Sequence, residues 1–358
     1  MRAFLTLPIL WLAAAPTFAE DPLVVLATTR AGRIEAFDAR LGRLGSIGVS
    51  QLVESVSGSP DGRKLYIAQE QRGQCCGLYS LDLETHTMCA FGGAAMFAVP
   101  SPDGQSLFTQ DSQGVQVFDA KTLWPRAPSI KAPGTYNLQV SPDGQWLLGI
   151  TNSEGPSLDI FDVNRHTLAR RLPIPTGPAI GAWAGDGFYL FSYAAPGIGN
   201  LWHVKPQDTE LPEAKKILLE DLHGNCNEPV LLMLAGAPDK LFLAEAFGYK
   251  LDRRGTCPGI APGGIYRIQP TTGHVSLLAP GIHVNRMAVT PDGHDVYVIQ
   301  STNPPHHSDV RLIHIDADMG HIQSSVALES GDWNLTLTHT PEGLIPRGYV
   351  RAALHCPR

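Results

Sequence analysis

Seven times along the chain an apolar stretch runs into Ser-Pro-Asp-Gly, or a variant of it, and a second apolar stretch follows at once. The copies are Ser59-Pro60-Asp61-Gly62, Ser101-Pro102-Asp103-Gly104, Ser141-Pro142-Asp143-Gly144, Ala184-Gly185-Asp186-Gly187, Ala237-Pro238-Asp239-Lys240, Thr290-Pro291-Asp292-Gly293 and Thr340-Pro341-Glu342-Gly343. The first three match fully, while the fourth, fifth and seventh are degraded. Proline fixes φ at the second turn position, aspartate bonds nearby backbone, and glycine accepts a positive φ. Each tetrad therefore reads as a tight hairpin turn. Successive copies begin 42, 40, 43, 53, 53 and 50 residues apart. A strand-bearing period of about 40 to 50 residues marks a repeating β architecture, so length is no guide to domain number.

Four strands fit within one period. Around the third copy they fall at residues 137–140, 146–150, 157–162 and 168–172, and the third strand of a unit recurs with a terminal aspartate at Asp82, Asp119, Asp162 and Asp316. That aspartate is expected to cap the turn into the outer strand. Before the first tetrad only three strands fit, at 23–27, 33–37 and 44–47, matching the second, third and fourth of a unit. Residues 333–338 must supply the missing innermost strand. The expected fold is all-β: a seven-bladed β-propeller of four-stranded blades, closed by a C-terminal strand joining the N-terminal blade. Residues 344–358 remain for an extra strand or strap. Composition agrees, with 17% charged residues, 36 glycines and 29 prolines, the profile of a turn-rich β protein.

The run from Ser59-Pro60-Asp61-Gly62 through Leu65-Tyr66-Ile67-Ala68 resembles the YVTN-type and lactonase-like propeller repeats, and the resemblance covers nearly all of residues 20–358. That superfamily holds lactonases, lyases, dehydrogenase subunits and many exported binding proteins. Heavy subunits of periplasmic quinone-cofactor amine dehydrogenases look similar too. The resemblance implies fold and leaves function open.

Residues 1–19 read as a secretory signal peptide: Arg2 gives the charge, residues 5–15 the apolar stretch, and Thr17-Phe18-Ala19 the cleavage site. Residues 20–358 are then one propeller domain, periplasmic or secreted, with no membrane span expected. The six cysteines lack C-x-x-C spacing, so disulfides are expected rather than a cysteine-built zinc site. A formal charge of −7 and the absence of a basic cluster argue against nucleic acid as a partner.

By analogy with other propellers, a ligand site is expected at the mouth opposite the tetrads. Asn225, Glu228, Glu245, Asn285, His307 and Asp309 fall there as candidate binding residues, with His223 and Asn227 nearby. His283 and His306 are candidate metal ligands, and a divalent metal is the cofactor they would suit. His86, His166, His274, His294 and His321 fall at the other mouth and read as solvated turn residues. Long loops at 247–264 and 301–308 overhang the candidate mouth, and a Cys226–Cys257 bridge would pin the first of them. No Gly-x-Ser-x-Gly elbow or phosphate-cradling loop occurs. The reading that follows is an exported binding or scaffold protein holding a small molecule or partner protein at that mouth. Two alternatives stand beside it, a metal-assisted lactonase-like hydrolase or lyase, and a dehydrogenase's propeller subunit.

Overall fold

The computed structural model describes residues 21–29, 32–49, 53–71, 74–94, 97–111, 113–151, 155–175, 179–195, 198–219, 232–245, 248–249, 260–261, 263–300, 309–329 and 333–354. Seven antiparallel sheets of four strands follow one another in a ring. Blade 1 is Trp333–His339, Leu23–Thr29, Arg33–Asp38 and Arg43–Gly48, from inside to outside. Blade 2 runs from Val53–Gly58 to Thr87–Ala94, blade 3 from Ala98–Pro100 to Ile130–Lys131, and blade 4 from Thr135–Val140 to Thr167–Pro173. Blades 5, 6 and 7 begin at Ala179–Ala184, Leu232–Ala237 and Val284–Val289. No helix occurs among the described residues, and no helix is long and apolar enough to cross a membrane.

The turn chemistry behaves as its residue types require. In the four intact copies, including the Thr290 form, the hydroxyl donates to the aspartate at 2.5 Å and accepts the backbone N–H five residues on at 2.9–3.1 Å. Gly62, Gly104, Gly144 and Gly293 sit at φ of +64° to +73°, which only glycine adopts without cost. The degraded fourth and fifth copies close differently: Ala184 pairs with Gly187 and Ala237 with Lys240, giving two-residue hairpins. The third-strand aspartates also cap as expected, with Asp82, Asp119, Asp162 and Asp316 accepting backbone N–H bonds from the turn that follows.

Alternation along each strand sends neighbouring side chains into opposite seams. Val24 and Leu26 enter the seam between blades 1 and 2, while Val25 and Ala27 enter the one between blades 7 and 1. Each of the seven seams holds its own buried apolar cluster, the closing seam included. Two tyrosines at the same place in the repeat stitch seams: Tyr66 Oη donates to Ala120 O at 3.2 Å and Tyr297 Oη to Ala39 O at 2.8 Å. Burial pushes the Tyr66 phenol up to about 12.

Closure is by the C-terminal strand, as expected. Trp333–His339 pairs with Leu23–Thr29 from Trp333↔Thr29 to His339↔Leu23. The strap has a definite place. Gly348–Arg351 adds in parallel to Arg43–Gly48, and Ala353–Leu354 adds in parallel to Thr87–Ala94, so it fastens the outer edges of blades 1 and 2 together. Gly45 permits the approach, because a Cβ there would collide with the Pro346 carbonyl oxygen.

One expectation is corrected. His86 is not a freely solvated turn residue: the strap's Ala353 N–H bonds its carbonyl, and its Nε2 is buried. Trp183 packs edge-on against Phe188 in the seam between blades 4 and 5. Residues 1–19, the expected signal peptide, lie outside the described residues. Cys89 is disulfide-bonded.

Candidate functional site

The two mouths of the ring are chemically unlike. At the tetrad mouth the turn hydroxyls and carboxylates bond one another. At the opposite mouth the second strand of several blades ends in buried polar residues, with Thr28, Gln69, Thr109, Thr151 and Ser192 all no more than 1% exposed. Among these ends, Thr28 Oγ1, Thr29 Oγ1, Thr109 Oγ1 and Gln110 Oε1 are buried with no hydrogen-bond partner among the described residues.

Blade 7 concentrates this feature. His283 and Asn285 flank Val284 at the mouth end of the innermost strand. The ladder skips Asn285, pairing Val284 with Gln300 and Arg286 with Ile299, so Asn285 occupies a β-bulge. A bulge re-aims a side chain that regular pleating would place elsewhere. Blade 2 has the same irregularity between Val53 and Ser55, and blade 4 a wider one between Tyr136 and Gln139, where Asn137 has φ of +52°.

His283 Nδ1 and Asn285 Oδ1 are buried and have no hydrogen-bond partner among the described residues. Burial lowers the His283 pKa from its ordinary value, so the imidazole is neutral at neutral pH and presents one nitrogen lone pair. Beside them Arg286 Nη1 donates to the Asn285 carbonyl at 2.7 Å, and Nε donates to Asn334 Oδ1 on the closing strand at 3.0 Å. Similar side-chain bonds lace the inner ring elsewhere, from Thr336 to Val56 O, Ser57 to Ala98 O and Gln139 to Gly181 O. These bonds tie the inner strands of neighbouring blades to one another.

Of the residues expected at this site, His283 and Asn285 flank Val284 at the mouth end of one strand, and exposed Asp309, at φ +52°, precedes the third strand of the same blade, Arg311–Asp316. Glu245 ends the second strand of blade 6 at the same mouth. Its side chain, together with Asn225, Cys226, Glu228, Cys257, His306 and His307, lies outside the described residues. Among the described residues no group of three potential metal ligands gathers. Sequence reading passed over Asn137, Gln139, Arg286 and Asn334. Arg286 and Asn334 lie near the mouth end of an inner strand, a place that could have been read from the repeat.

Two cavities differ in character. One of about 240 Å³ at the tetrad mouth is lined by Lys240, Arg267 and His274, with Lys240 and Arg267 both near Asp318 at 2.7 and 3.7 Å. Another of about 510 Å³ lies under the strap, between Arg33, Glu329 and Tyr349.

No family model and no curated protein matches the sequence. Solved structures do. Hydrazine synthase of Kuenenia stuttgartiensis superposes with a TM-score of 0.57 at 16% identity, over 74% of this chain and 76% of that one. Dihydro-heme d1 dehydrogenase NirN, in complex with DHE, gives 0.55 at 16% identity over 91% and 78%. A Bacteroides fragilis protein described as a 6-phosphogluconolactonase gives 0.61 at 14% identity over 90% and 100%. The chain is a seven-bladed β-propeller. At these identities the propeller fold is what the chain shares with the three.

Proposed function

We propose that this propeller is an exported binding protein that holds a small molecule at the mouth opposite its tetrad turns, with His283 and Asn285 as contact residues. One observation carries the reading: two buried polar atoms, His283 Nδ1 and Asn285 Oδ1, have no hydrogen-bond partner among the described residues, and they flank Val284 at an inner-strand end bulged at Asn285. Each such group costs roughly 1–3 kcal/mol when left unpaired, which a ligand's own polar atoms would offset. Asn225, Glu228, Glu245, His307 and Asp309 are the remaining contacts proposed at this mouth. Cys226–Cys257 is the proposed bridge across the long loop. Residues 1–19 are the proposed export signal.

The likeness to a protein described as a lactonase, together with a neutral imidazole at His283, favours a second reading. In it His283 and His306 hold a divalent metal for a lactonase-like or lyase reaction. A subunit role beside a dehydrogenase would instead require a co-purifying redox partner.

Native and plasma mass spectrometry of the exported protein separate these readings, with His283→Ala and Asn285→Ala alongside. A retained organic ligand that both variants lose supports the binding reading. A stoichiometric metal lost in His283→Ala but kept in Asn285→Ala overturns it in favour of the enzyme. If the wild type retains neither and its melting temperature stays unmoved by zinc, calcium or gluconolactone, both fail.

A further inference from the structure

The cavity beneath the strap lies on the same side of the ring as His283 but at its perimeter, where blade 7 meets blade 1. We propose that it is a second ligand site, for a small ring compound bearing a single carboxylate.

Three elements build it. The facing ends of the second and third strands of blade 1 give Thr29 and Arg33, the end of the outer strand gives Gly48, and the segment beyond the last strand of blade 7 gives Glu329. The strap closes it with Tyr349 and Arg351. Its volume, about 510 Å³, lies within the range of small-molecule sites.

The charges do not cancel. Arg33 Nη1 meets Glu329 Oε1 at 3.2 Å, and behind it Glu35 is engaged by Arg43 at 2.5 Å and by Arg33 Nε at 3.4 Å. Arg351 has no ion pair among the described residues. Among the described residues, two guanidiniums thus face one carboxylate, leaving one positive charge at the wall. Arginine's planar fork is suited to a carboxylate, which it can bind through two parallel bonds. Thr29 Oγ1 is buried in the floor with no hydrogen-bond partner among the described residues, and can bond a polar substituent.

The ring specificity comes from Tyr349. The residue is 62% exposed, and the Arg33 guanidinium carbon stands 6.0 Å from its ring centre, close enough to orient the ring by cation–π attraction. Gly48 makes room for it: a Cβ there would collide with the Tyr349 hydroxyl and ring. Gly48 lies in ordinary extended backbone, so space rather than turn geometry is what glycine provides here. An exposed aromatic wall beside an uncompensated guanidinium fits a planar or sugar ring carrying an acid group.

Calorimetric titration of the full chain with 4-hydroxybenzoate and with galacturonate tests the proposal, against 4-hydroxybenzamide and galactose as neutral counterparts. Saturable binding of at least one acid is expected, with its neutral counterpart at least tenfold weaker. Arg351→Ala and Gly48→Ala should each weaken the acid tenfold or more. His283→Ala should leave it unchanged, so this site and the mouth site stand or fall separately. Absence of saturation by either acid up to about 10 mM overturns the proposal. So does equal binding of the neutral counterparts, or wild-type affinity in both pocket variants. Melting curves of Arg351→Ala, which alters only an exposed strap residue, confirm that any loss is not unfolding.

Discussion

At the scale of single residues, the tetrad glycines look interchangeable in sequence but are not so in structure. Gly62 and Gly144 share a left-handed backbone at φ +64° and +71°. A Cβ on Gly144 would meet only the Pro102 ring at ordinary distance, whereas one on Gly62 would strike the backbone of His339 in the closing strand. Gly144→Ala should therefore cost about 1 kcal/mol, the price of the strained φ alone. Gly62→Ala adds overpacking and should cost about 2–4 kcal/mol. Chemical denaturation of both variants measures the gap, and equal losses would contradict the contact at the closing seam.

At the scale of elements, what could be read from sequence depended on how local its cause was. Turns and strands were legible because a hydroxyl, a proline, an aspartate and a glycine act within five residues and recur together in four of the seven copies. The closing strand was legible by counting, since Leu23–Thr29 had no inner partner. The strap's place was not. Gly348–Arg351 and Ala353–Leu354 join outer edges by parallel pairing, which leaves no periodic trace. The Asn285 bulge was hidden too, because a skipped ladder position depends on the neighbouring strand. His283 and Asn285 were found as polar residues at the right mouth; Tyr349 and Arg351 were missed because the wall they form depends on where the strap docks.

The strap's register carries a covalent prediction. Leu354 lies beside Met88, next to the disulfide-bonded Cys89, and Cys356 follows two residues later. Cys89–Cys356 is therefore the expected bridge, tying the end of the chain to blade 2. Peptide mapping without reduction should recover residues 89 and 356 in one linked fragment. A Cys89–Cys75 or Cys89–Cys76 fragment would refute it.

At the scale of the whole molecule, similar turns around the ring titrate in the same direction. Hydroxyl bonds from Ser101 and Thr290 hold Asp103 and Asp292 below their usual carboxylate range, and the Thr122 backbone N–H does the same for Asp119. The folded ring therefore binds fewer protons at these positions than the unfolded chain. Their stabilisation is complete above the ordinary aspartate value of about 4 and is lost as pH falls from there through the depressed values. His283, lowered by burial, adds a loss of the same sign that starts below about 6.5. Melting temperature should hold from pH 8 to 7, slip slightly by pH 5, and fall steeply below 4. Substituting Asp103, Asp119 and Asp292 together by asparagine should lower stability at pH 7 and flatten the acid limb. An unchanged acid limb would show that the turns do not carry it.

Pairing the first strand with the last also constrains how the chain is made. A ribosome delivers Leu23–Thr29 early and Trp333–His339 near the end, so blade 1 keeps a bare inner edge through most of synthesis. A product truncated before residue 333 would hold six complete sheets and one open one, whose unpaired backbone is a template for another chain. Proofreading against incomplete copies is thus written into the order of the strands: only a full-length chain can hide its own beginning.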